Sequence, residues 1–369
     1  MNLENKLIPI IILNYNGEKD TIECLQSIIL SKRHGFYTIL IDNGSTQNSV
    51  TFLKIECNKL FKDIISLKNE DLSSVNNLSS SNFTKVLTEE TLVFIECEKN
   101  QGFSKGNNIG ITFAELNGAD WVLLLNNDTI IVNNTLVELK QFISNHSAII
   151  AVSPQIRYYD QKEKMWFGGG KLTYFGSRKY RFTKTKLASV TLQGFSLTTI
   201  ITGCALLFNY KKTGILSEDF FFGEEDYEFS LRLAKMQLRM ACVYDSVVYH
   251  KVGSTRKESH NYLASLYVYY INRLINTRNY YSEIRWNITK ILAFIYLPIL
   301  LYRNAFNPIL SIGLIKKINS YIANNSLVTQ DEFLKSITLK YFEYKKISIP
   351  MLNKIAKKLT MTCAKLNWF

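Results

Sequence analysis

Residues 92–128 read LVFIECEKNQGFSKGNNIGITFAELNGADWVLLLNND, and this stretch decides the fold. Two short apolar runs, at 92–95 and 121–125, flank a segment with helical spacing over 104–116. Neither run alternates between apolar and polar residues, so both predict strands that are buried on both faces. A strand, a helix and a second strand of this kind indicate a parallel sheet covered by helices.

The same alternation of strands and helices extends towards both ends of the chain. The sequence therefore predicts an α/β fold with a mostly parallel sheet flanked by helices. The further predicted elements are strands over 7–13, 37–41 and 203–208 and helices over 20–30, 50–61 and 223–235. Residues 68–90 are rich in Ser and Asn, which predicts a mobile surface insertion that carries no chemistry.

The positive charge is concentrated at one end of the chain. The 369 residues have a formal net charge of +13. Residues 1–254 hold 27 Lys and Arg against 26 Asp and Glu, whereas residues 255–369 hold 17 against 5. A basic tail behind a neutral body favours a tail that meets an acidic surface, such as a membrane. We predict a domain over 1–255 and a helical, basic region over 256–369.

Several features indicate a cytoplasmic protein. The six cysteines are dispersed without a CxxC pair, which favours buried thiols in a reducing compartment over disulfides or a zinc site. The apolar run near the N-terminus has no small-residue cleavage site after it, so we expect no secretory signal. The later apolar run, 291–302, is interrupted by Pro298 and falls short of the roughly 20 residues that a membrane span needs. We therefore expect that the chain does not cross a membrane.

The last residues of the tail have an amphipathic pattern. Leu352, Ile355, Leu359 and Leu366 recur at helical spacing, and the lysines lie mostly off that stripe. This pattern is typical of a helix that lies in a membrane interface. A terminal helix packed on the body, with its lysines in water, explains it equally well.

Polar residues follow the predicted strands, at the edge where α/β sheets bind ligands. Asn14-Tyr15-Asn16-Gly17 follows the first strand and is not a GxGxxG sequence, which counts against a dinucleotide-binding fold. Asp42 ends the second strand, where a carboxylate could accept hydrogen bonds from a nucleobase or a ribose. An ordinary Asp-Asn-Gly turn is the simpler explanation of Asp42 when it is taken alone.

The loop after residue 95 has an unusual glycine pattern. Gly102, Gly106 and Gly110 share one face of the predicted helix, although each costs about 1 kcal/mol relative to alanine in a helix interior. Such a face lets either a flat ligand or another backbone approach closely. Binding and helix-on-sheet packing therefore both explain these glycines.

Three further sites carry chemistry-bearing side chains. Asp128, after Asn126 and Asn127, suits a hard cation that also binds phosphate oxygens, although a helix cap explains it more simply. The carboxylates at 224–226 follow three phenylalanines, and close like charges raise a carboxyl pKa towards that of a general base. An acidic first helical turn explains the first two of these carboxylates equally well. His250 follows another apolar run, where a structural histidine is more common than a ligand.

Seven motifs resemble, in their order and spacing, those of the family 2 glycosyltransferases of the GT-A fold. They are LNYNG, IDNGS, NQGFSKGNNIG, LLLNND, GCALLF, FFGEEDYEFSLR and YHKVGS, and they span about residues 7–255. The chain is most similar to the rhamnosyltransferase-like branch that builds bacterial surface polysaccharides such as O-antigen or capsule. The resemblance implies a Rossmann-like, mixed and mostly parallel sheet, a nucleoside-diphosphate sugar donor and inverting transfer to a saccharide acceptor.

The resemblance also assigns roles to individual positions. Asp226, with Glu225 before it, matches the catalytic base of the family's ED signature. Asp128 matches the last residue of the DXD-type metal motif, and His250 matches a histidine near the metal or the diphosphate. The positions that match the nucleotide and donor-sugar pocket are Asn14, Asn16, Asp42, Asn100, Gly102, Gly106, Asn107 and Asn127, with residues 168–170 similar to a glycine-rich loop near the sugar.

One departure from the family concerns the metal. Asn126 stands where many relatives have the first aspartate of the metal motif, so we expect Mg²⁺ or Mn²⁺ to be held weakly without donor. The expected partners are the donor, a saccharide acceptor that is lipid-linked, and an anionic membrane contacted by the tail, with no nucleic acid. A nucleotidyltransferase of similar fold lacks support, because NYNGEKD is not a Gly- and Lys-rich triphosphate loop. A non-catalytic sugar-binding protein would tolerate loss of Asp128 and of the acidic segment, yet both are present.

Overall fold

A computed structural model describes residues 6–75, 87–190, 192–252, 262–304 and 306–338. The strands are β1 (Ile8–Asn14), β2 (Phe36–Asp42), β3 (Asp63–Lys68), β4 (Thr91–Glu96), β5 (Trp121–Leu125), β6 (Thr129–Ile131), β7 (Ile149–Tyr158), β8 (Met165–Phe167), β9 (Gly170–Leu172), β10 (Arg178–Tyr180), β11 (Phe195–Thr198), β12 (Ala205–Asn209) and β13 (Arg239–His250). The helices are α1 (Glu18–Leu30), α2 (Gln47–Leu60), α3 (Asn69–Val75), α4 (Phe103–Leu116), α5 (Thr135–Asn145), α6 (Tyr210–Thr213), α7 (Glu225–Lys235), α8 (Tyr262–Tyr280), α9 (Glu283–Arg303), α10 (Leu310–Asn324) and α11 (Gln330–Thr338).

Eleven of these strands form one mixed sheet. Its main path runs β11-β13-β7-β12-β5-β1-β2-β4-β3, while β6 pairs with β13 and β8 pairs with β7. The half from β5 to β3 is parallel throughout, and β12 runs antiparallel to both β5 and β7. The predicted fold class, a mixed and mostly parallel sheet flanked by helices, is confirmed.

The central strands are buried because helices cover both faces of the sheet. Successive residues of β1 belong to opposite faces: Ile10 and Ile12 pack in one apolar cluster and Ile11 in the other. The first cluster contains residues of α1, α2 and α5, and the second contains residues of α4 and α7. This arrangement explains why the sequence of β1 is continuously apolar rather than alternating.

The glycines of α4 bring this helix close to the sheet. A Cβ atom on Gly110 would lie 2.7 Å from Cγ2 of Ile11 and 3.0 Å from Cδ1 of Ile41. A Cβ atom on Gly106 would lie 2.6 Å from Cδ1 of Leu13. Packing of the helix on the sheet therefore accounts for both glycines.

The region after α2 contains two elements that the sequence analysis does not include. Residues 63–68 form β3 at the edge of the sheet, and their side chains are partly buried or exposed. The predicted mobile insertion over 68–90 begins with a helix, α3, in which Leu72 is 5 % exposed and packs in the apolar core. The centre of this segment, residues 76–86, lies outside the described residues.

The five described cysteines are free and buried, as predicted. They are Cys24, Cys57, Cys97, Cys204 and Cys242. Burial raises the pKa of the Cys24 and Cys57 thiols to about 12, which keeps both of them protonated at neutral pH. Cys363 lies outside the described residues.

The described chain divides into two compact units, one of residues 6–171 and 179–252 and one of residues 172–178 and 262–338. The second unit contains α8 to α11, and α8 contacts each of α9, α10 and α11. The amphipathic segment predicted over 351–369 lies outside the described residues.

The apolar run 291–302, predicted to be interrupted by Pro298, lies within a longer helix. This run is part of α9, a helix of 21 residues that continues through Pro298. Among the described residues, α9 alone is long and apolar enough to cross a membrane, a test that takes account of length and composition only.

The packing of α4 predicts that valine destabilises the protein more at Gly110 than at Gly313. We expect Gly110→Val to lower the free energy of unfolding by about 2 kcal/mol, because the added atoms meet Ile11 and Ile41 in a filled core. Gly313→Val in α10 is the matched control, since no heavy atom lies within 4 Å of a Cβ placed there. Urea unfolding midpoints measure both; an equal midpoint for the two variants would contradict the packing described here.

Candidate active site

The carboxyl ends of β1 and β2 are joined by buried side chains. Asn14 and Asp42 are opposite each other in the parallel register and are 0 % and 1 % exposed. Nδ2 of Asn14 donates to Oδ1 of Asp42 at 2.9 Å, while Oδ2 of Asp42 accepts from the backbone N–H of Ser45 at 3.0 Å. Oδ1 of Asn14 accepts from Gly17 N–H and from the Thr21 hydroxyl. Both side chains therefore fix the two loops that follow their strands.

Asn16 connects the same two loops from the solvent side. Its backbone N–H donates to Oγ of Ser45 at 2.9 Å, and its Oδ1 accepts from Thr46 N–H at 2.9 Å. Its φ angle of 51° is in the left-handed region, which asparagine tolerates better than most residues. The loops after β1 and β2 thus form one hydrogen-bonded unit.

The loop after β4 is attached to this unit through Asn43. The side chain of Asn43 donates to Oδ1 of Asn100 at 2.9 Å and to the Gly102 carbonyl at 3.2 Å, and it accepts from Gln101 N–H at 2.9 Å. Oδ1 of Asn100 also accepts from Gly102 N–H. Asn43, 2 % exposed, was not among the predicted site residues, although its place in the strand-end motif IDNGS is a usable signal.

Gly102 lets the loop after β4 contact the segment that precedes α7. Its φ of 80° is in the left-handed region, and a Cβ atom there would lie 2.2 Å from the Phe221 carbonyl oxygen. The next residue, Phe103, donates its N–H to that same oxygen at 3.1 Å. Only glycine meets both the backbone conformation and the space at this position.

Other predicted pocket residues have protein partners. Asn107 is 2 % exposed and donates to the Phe103 carbonyl one turn earlier in α4. Asn127 donates to the Thr21 hydroxyl at 3.0 Å and to the Gly17 carbonyl at 3.4 Å. Asn127 thereby attaches the loop after β5 to the loop after β1.

Asp128 and His250 are brought together by the pairing of β6 with β13. Nε2 of His250 lies 3.2 Å from Oδ1 of Asp128, and both residues are less than one-tenth exposed. Nδ1 of His250 is buried. The His250 ring stands edge-on to Trp166, with ring centroids 4.8 Å apart.

The backbone around this pair is anchored to α1. Lys251 donates its N–H to the Asp128 carbonyl at 3.0 Å. Its Nζ lies 2.7 Å from carboxylate oxygens of both Asp20 and Glu23. Lys251 was not among the predicted site residues, because its carboxylate partners are more than 200 residues away in the chain.

Cys204, just before β12, lies beside this pair. Burial is the largest cause of the raised pKa of its thiol. His250 lowers this pKa, and the charges of Asp128 and Asp226 raise it further. Burial by itself lowers the pKa of His250, but Cys204 and the Asp128 carboxylate outweigh this and raise it above the usual value.

The acidic segment turns sharply into α7. Gly223 and Glu224 both have left-handed φ angles, 97° and 72°, and Glu225 is the first residue of the helix. Oε1 of Glu225 accepts from Gly223 N–H at 2.5 Å. The start of α7 is held by Ser230, whose hydroxyl donates to the Asp226 carbonyl and accepts from Ile201 N–H.

The carboxyl pKa of Glu225 is strongly raised. Desolvation of this partly buried side chain raises its pKa from 4.5 to about 8, and the neighbouring charges of Asp226 and Glu224 act in the same direction. The hydrogen bond from Gly223 opposes this rise. Glu225 therefore holds a proton at neutral pH and can donate a hydrogen bond.

The donor atoms at Asp128 and His250 suit a divalent cation only in part. A carboxylate oxygen is a preferred ligand of Mg²⁺ and Mn²⁺, and the His250 imidazole lies beside it. Within the part of the chain that the structure describes, no group of three or more His, Cys, Asp or Glu side chains could hold a metal ion. These two residues can therefore supply part of a coordination shell.

Comparisons with known proteins agree with this architecture. Residues 83–266 match the family model described as "Glycosyltransferase like family 2", so the chain carries a glycosyltransferase-like domain of that type. No curated protein matches the sequence. The expected branch of rhamnosyltransferase-like enzymes therefore stays a prediction.

Solved structures show the fold. This chain is similar to GalNAc-T7 in a crystal structure with UDP, GalNAc and Mn²⁺. The two sequences are 15 % identical, and the TM-score is 0.53 over 90 % of this chain. This chain spans 56 % of the GalNAc-T7 chain. The mannosyltransferase PcManGT from Pyrobaculum calidifontis, in complex with GDP-Man and Mn²⁺, is 14 % identical with a TM-score of 0.47, over 98 % of this chain and 80 % of its own. The likeness to GalNAc-T7 shows that the fold is GT-A-like.

The raised pKa of Glu225 predicts how stability depends on pH. Between pH 4.5 and about 8 the folded chain keeps a proton that the unfolded chain has released, so stability falls as the pH rises through this window. Glu225→Gln has no such proton. Between pH 5 and 8 we expect its melting temperature to fall by roughly 5 °C less than that of the wild type. Glu98→Gln, at an exposed position, is the control. An equal change of melting temperature with pH in the wild type and in Glu225→Gln would contradict the raised pKa of Glu225.

Proposed function

We propose that this protein is an inverting glycosyltransferase that moves a hexosyl or deoxyhexosyl group from a nucleoside-diphosphate sugar to a saccharide acceptor. The observation that carries the proposal is the contact between Asp128 and His250, whose side-chain atoms lie 3.2 Å apart. Asn127 attaches the loop that contains Asp128 to the loop after β1, which hydrogen bonds join to the loops after β2 and β4. The family match over residues 83–266 supports the reaction class.

The loops at the strand ends would hold the nucleotide. Asn14, Asn16 and Asp42 fix the first two loops, and Asn43 attaches the loop containing Asn100 and Gly102. Because these side chains bond to one another, their loops keep their shape before any ligand binds. A preorganised pocket loses less freedom on binding, which favours tight binding of the nucleotide.

Asp226 would act as the general base. It would take the proton from an acceptor hydroxyl as that oxygen attacks the anomeric carbon and as the bond to the diphosphate breaks. Glu225, which is protonated at neutral pH, would donate a hydrogen bond rather than compete for that proton. A single displacement of this kind inverts the anomeric configuration and needs no second nucleophile.

Asp128 and His250 would hold Mg²⁺ or Mn²⁺ together with the donor. The cation would stabilise the negative charge of the leaving diphosphate. Since the described residues supply only two ligands, donor oxygens and water would complete the shell. We therefore propose that the metal binds weakly before the donor arrives.

The acceptor we propose is a lipid-linked saccharide in bacterial surface-polysaccharide assembly, by an enzyme of the rhamnosyltransferase-like branch. The support is the tail, in which residues 255–369 hold 17 Lys and Arg against 5 Asp and Glu. A basic region suits the anionic inner face of the cytoplasmic membrane. The protein would then be a cytoplasmic, peripheral membrane enzyme.

Substitution of Asp226 tests the assignment of the base. We expect Asp226→Asn to lower the rate of sugar transfer at least 100-fold, because the amide cannot take a proton, while the affinity for donor changes less than twofold. The assay measures transfer of radiolabelled sugar from a panel of UDP-, dTDP- and GDP-sugars to a lipid-linked saccharide extract.

The control for this test is Asp219→Asn, which removes an exposed carboxylate from the loop before α7 and should leave the rate unchanged. Near-normal transfer by Asp226→Asn would overturn its role as the base. Retention of the donor's anomeric configuration in the product, measured by NMR, would contradict the one-step mechanism.

A further inference from the structure

The second unit exposes a narrow stripe of isoleucines along α9. Ile284, Ile288, Ile291 and Ile295 are 75 %, 40 %, 55 % and 61 % exposed. At 3.6 residues per turn these positions fall within about 60° of the helix circumference. The exposed side chains therefore form one continuous face, which we call the isoleucine stripe.

The opposite side of α9 packs inside the second unit. Thr289, Leu297 and Leu301 are the buried residues of the helix, and they lie on the side away from the stripe. Helix α9 contacts both α8 and α10. The stripe is thus a surface of a packed helix, and the orientation of the helix is fixed by its neighbours.

Exposed apolar residues are concentrated in this unit. Among the described residues, six of the eight exposed isoleucines belong to α9 or to the start of α10, where Ile309 and Ile312 are 69 % and 56 % exposed. A large apolar surface on a soluble protein marks an interaction site. A partner that binds this surface has to be apolar where it contacts the isoleucines.

The residues around the stripe favour an anionic, interfacial partner. Arg285 and Arg303 are on one side of it, and Glu283 is the only acidic residue of α9. The Arg285 guanidinium lies 4.4 Å from the Tyr174 ring centroid and 3.5 Å from that of Tyr281. Arginines among tyrosines beside aliphatic residues are typical of the boundary between lipid headgroups and acyl chains.

We propose that the isoleucine stripe lies in the interface of an anionic lipid bilayer, with α9 parallel to the membrane surface. This proposal rests on the proposed function and adds to it the surface that would contact the membrane. A second copy of this chain is a poorer fit, because two tails of net charge +12 each would be brought together.

A membrane-spanning α9 fits the packing less well than an interfacial one. Its neighbour α8 contains the buried polar residues Asn272, Arg273 and Asn276, and α10 carries Lys316 and Lys317. Since α8 and α10 both contact α9, insertion of α9 across a bilayer would take these charged helices with it. Charged side chains in the bilayer core are costly, whereas an interfacial helix leaves them in water.

Flotation of the full-length protein with liposomes tests this proposal. We expect binding to vesicles of phosphatidylcholine with 30 % phosphatidylglycerol and weak binding to phosphatidylcholine alone. Replacing Ile284, Ile291 and Ile295 together by Ser should lower the partition coefficient at least tenfold. The matched control replaces Leu30, Ile55 and Ile215 by Ser. These residues are 82 %, 53 % and 46 % exposed, and the control should bind vesicles like the wild type.

A fluorescent probe keeps the test independent of the folding of the triple variant. Ile291→Cys in a Cys363→Ser background is labelled with an environment-sensitive dye, because the five described cysteines are buried. We expect its emission to shift to shorter wavelength when anionic vesicles are added, and the same dye at Ile55→Cys to stay unchanged. Both measurements need neither donor nor acceptor, so their outcome is separate from that of the transfer assay.

Three results would overturn the proposal. The first is equal flotation of the wild type and the isoleucine variant, or the absence of any flotation. The second is a dye at position 291 that is unaffected by vesicles, which would place another segment of the chain over the stripe. The third is a wild-type dimer, seen by light scattering, that becomes monomeric in the variant while flotation stays the same.

Discussion

The buried hydrogen bond from Asn14 to Asp42 is the interaction on which the rest of the site depends. It joins the ends of two parallel strands in register, and the other hydrogen bonds of these two side chains hold the loops that follow. Asn43 and Asn127 extend this network to the loops after β4 and β5. A row of apolar strands thereby ends in a rigid edge of asparagine and aspartate side chains.

Much of the fold could be predicted because the central strands are apolar on both faces, as Ile10, Ile11 and Ile12 show. The edge strand β3 was missed for the opposite reason, since its partly buried residues give a weak pattern. Helix α9 was underestimated because Pro298 was taken as an interruption, whereas the helix continues through it.

The candidate site was predictable to the extent that its residues follow strands. The contact between Asp128 and His250 matches what the motif order implied, while the roles of both residues stay predictions. Asn43, Lys251 and Cys204 were not predicted as site residues, because their partners come from distant segments. Gly106 shows the reverse case: a glycine assigned to the pocket lies against Leu13 of the sheet.

The central claim is that this edge of the sheet binds a nucleoside diphosphate with a divalent cation. Thermal unfolding with UDP, dTDP or GDP, each with Mn²⁺ or with EDTA, tests it most directly. The account predicts that at least one nucleotide stabilises the wild type by about 2–3 kcal/mol at 100 times its dissociation constant, more with Mn²⁺ than with EDTA. In Asp128→Ala the difference between Mn²⁺ and EDTA should disappear. Stabilisation by none of the three nucleotides, or by an oligonucleotide instead, would contradict the account.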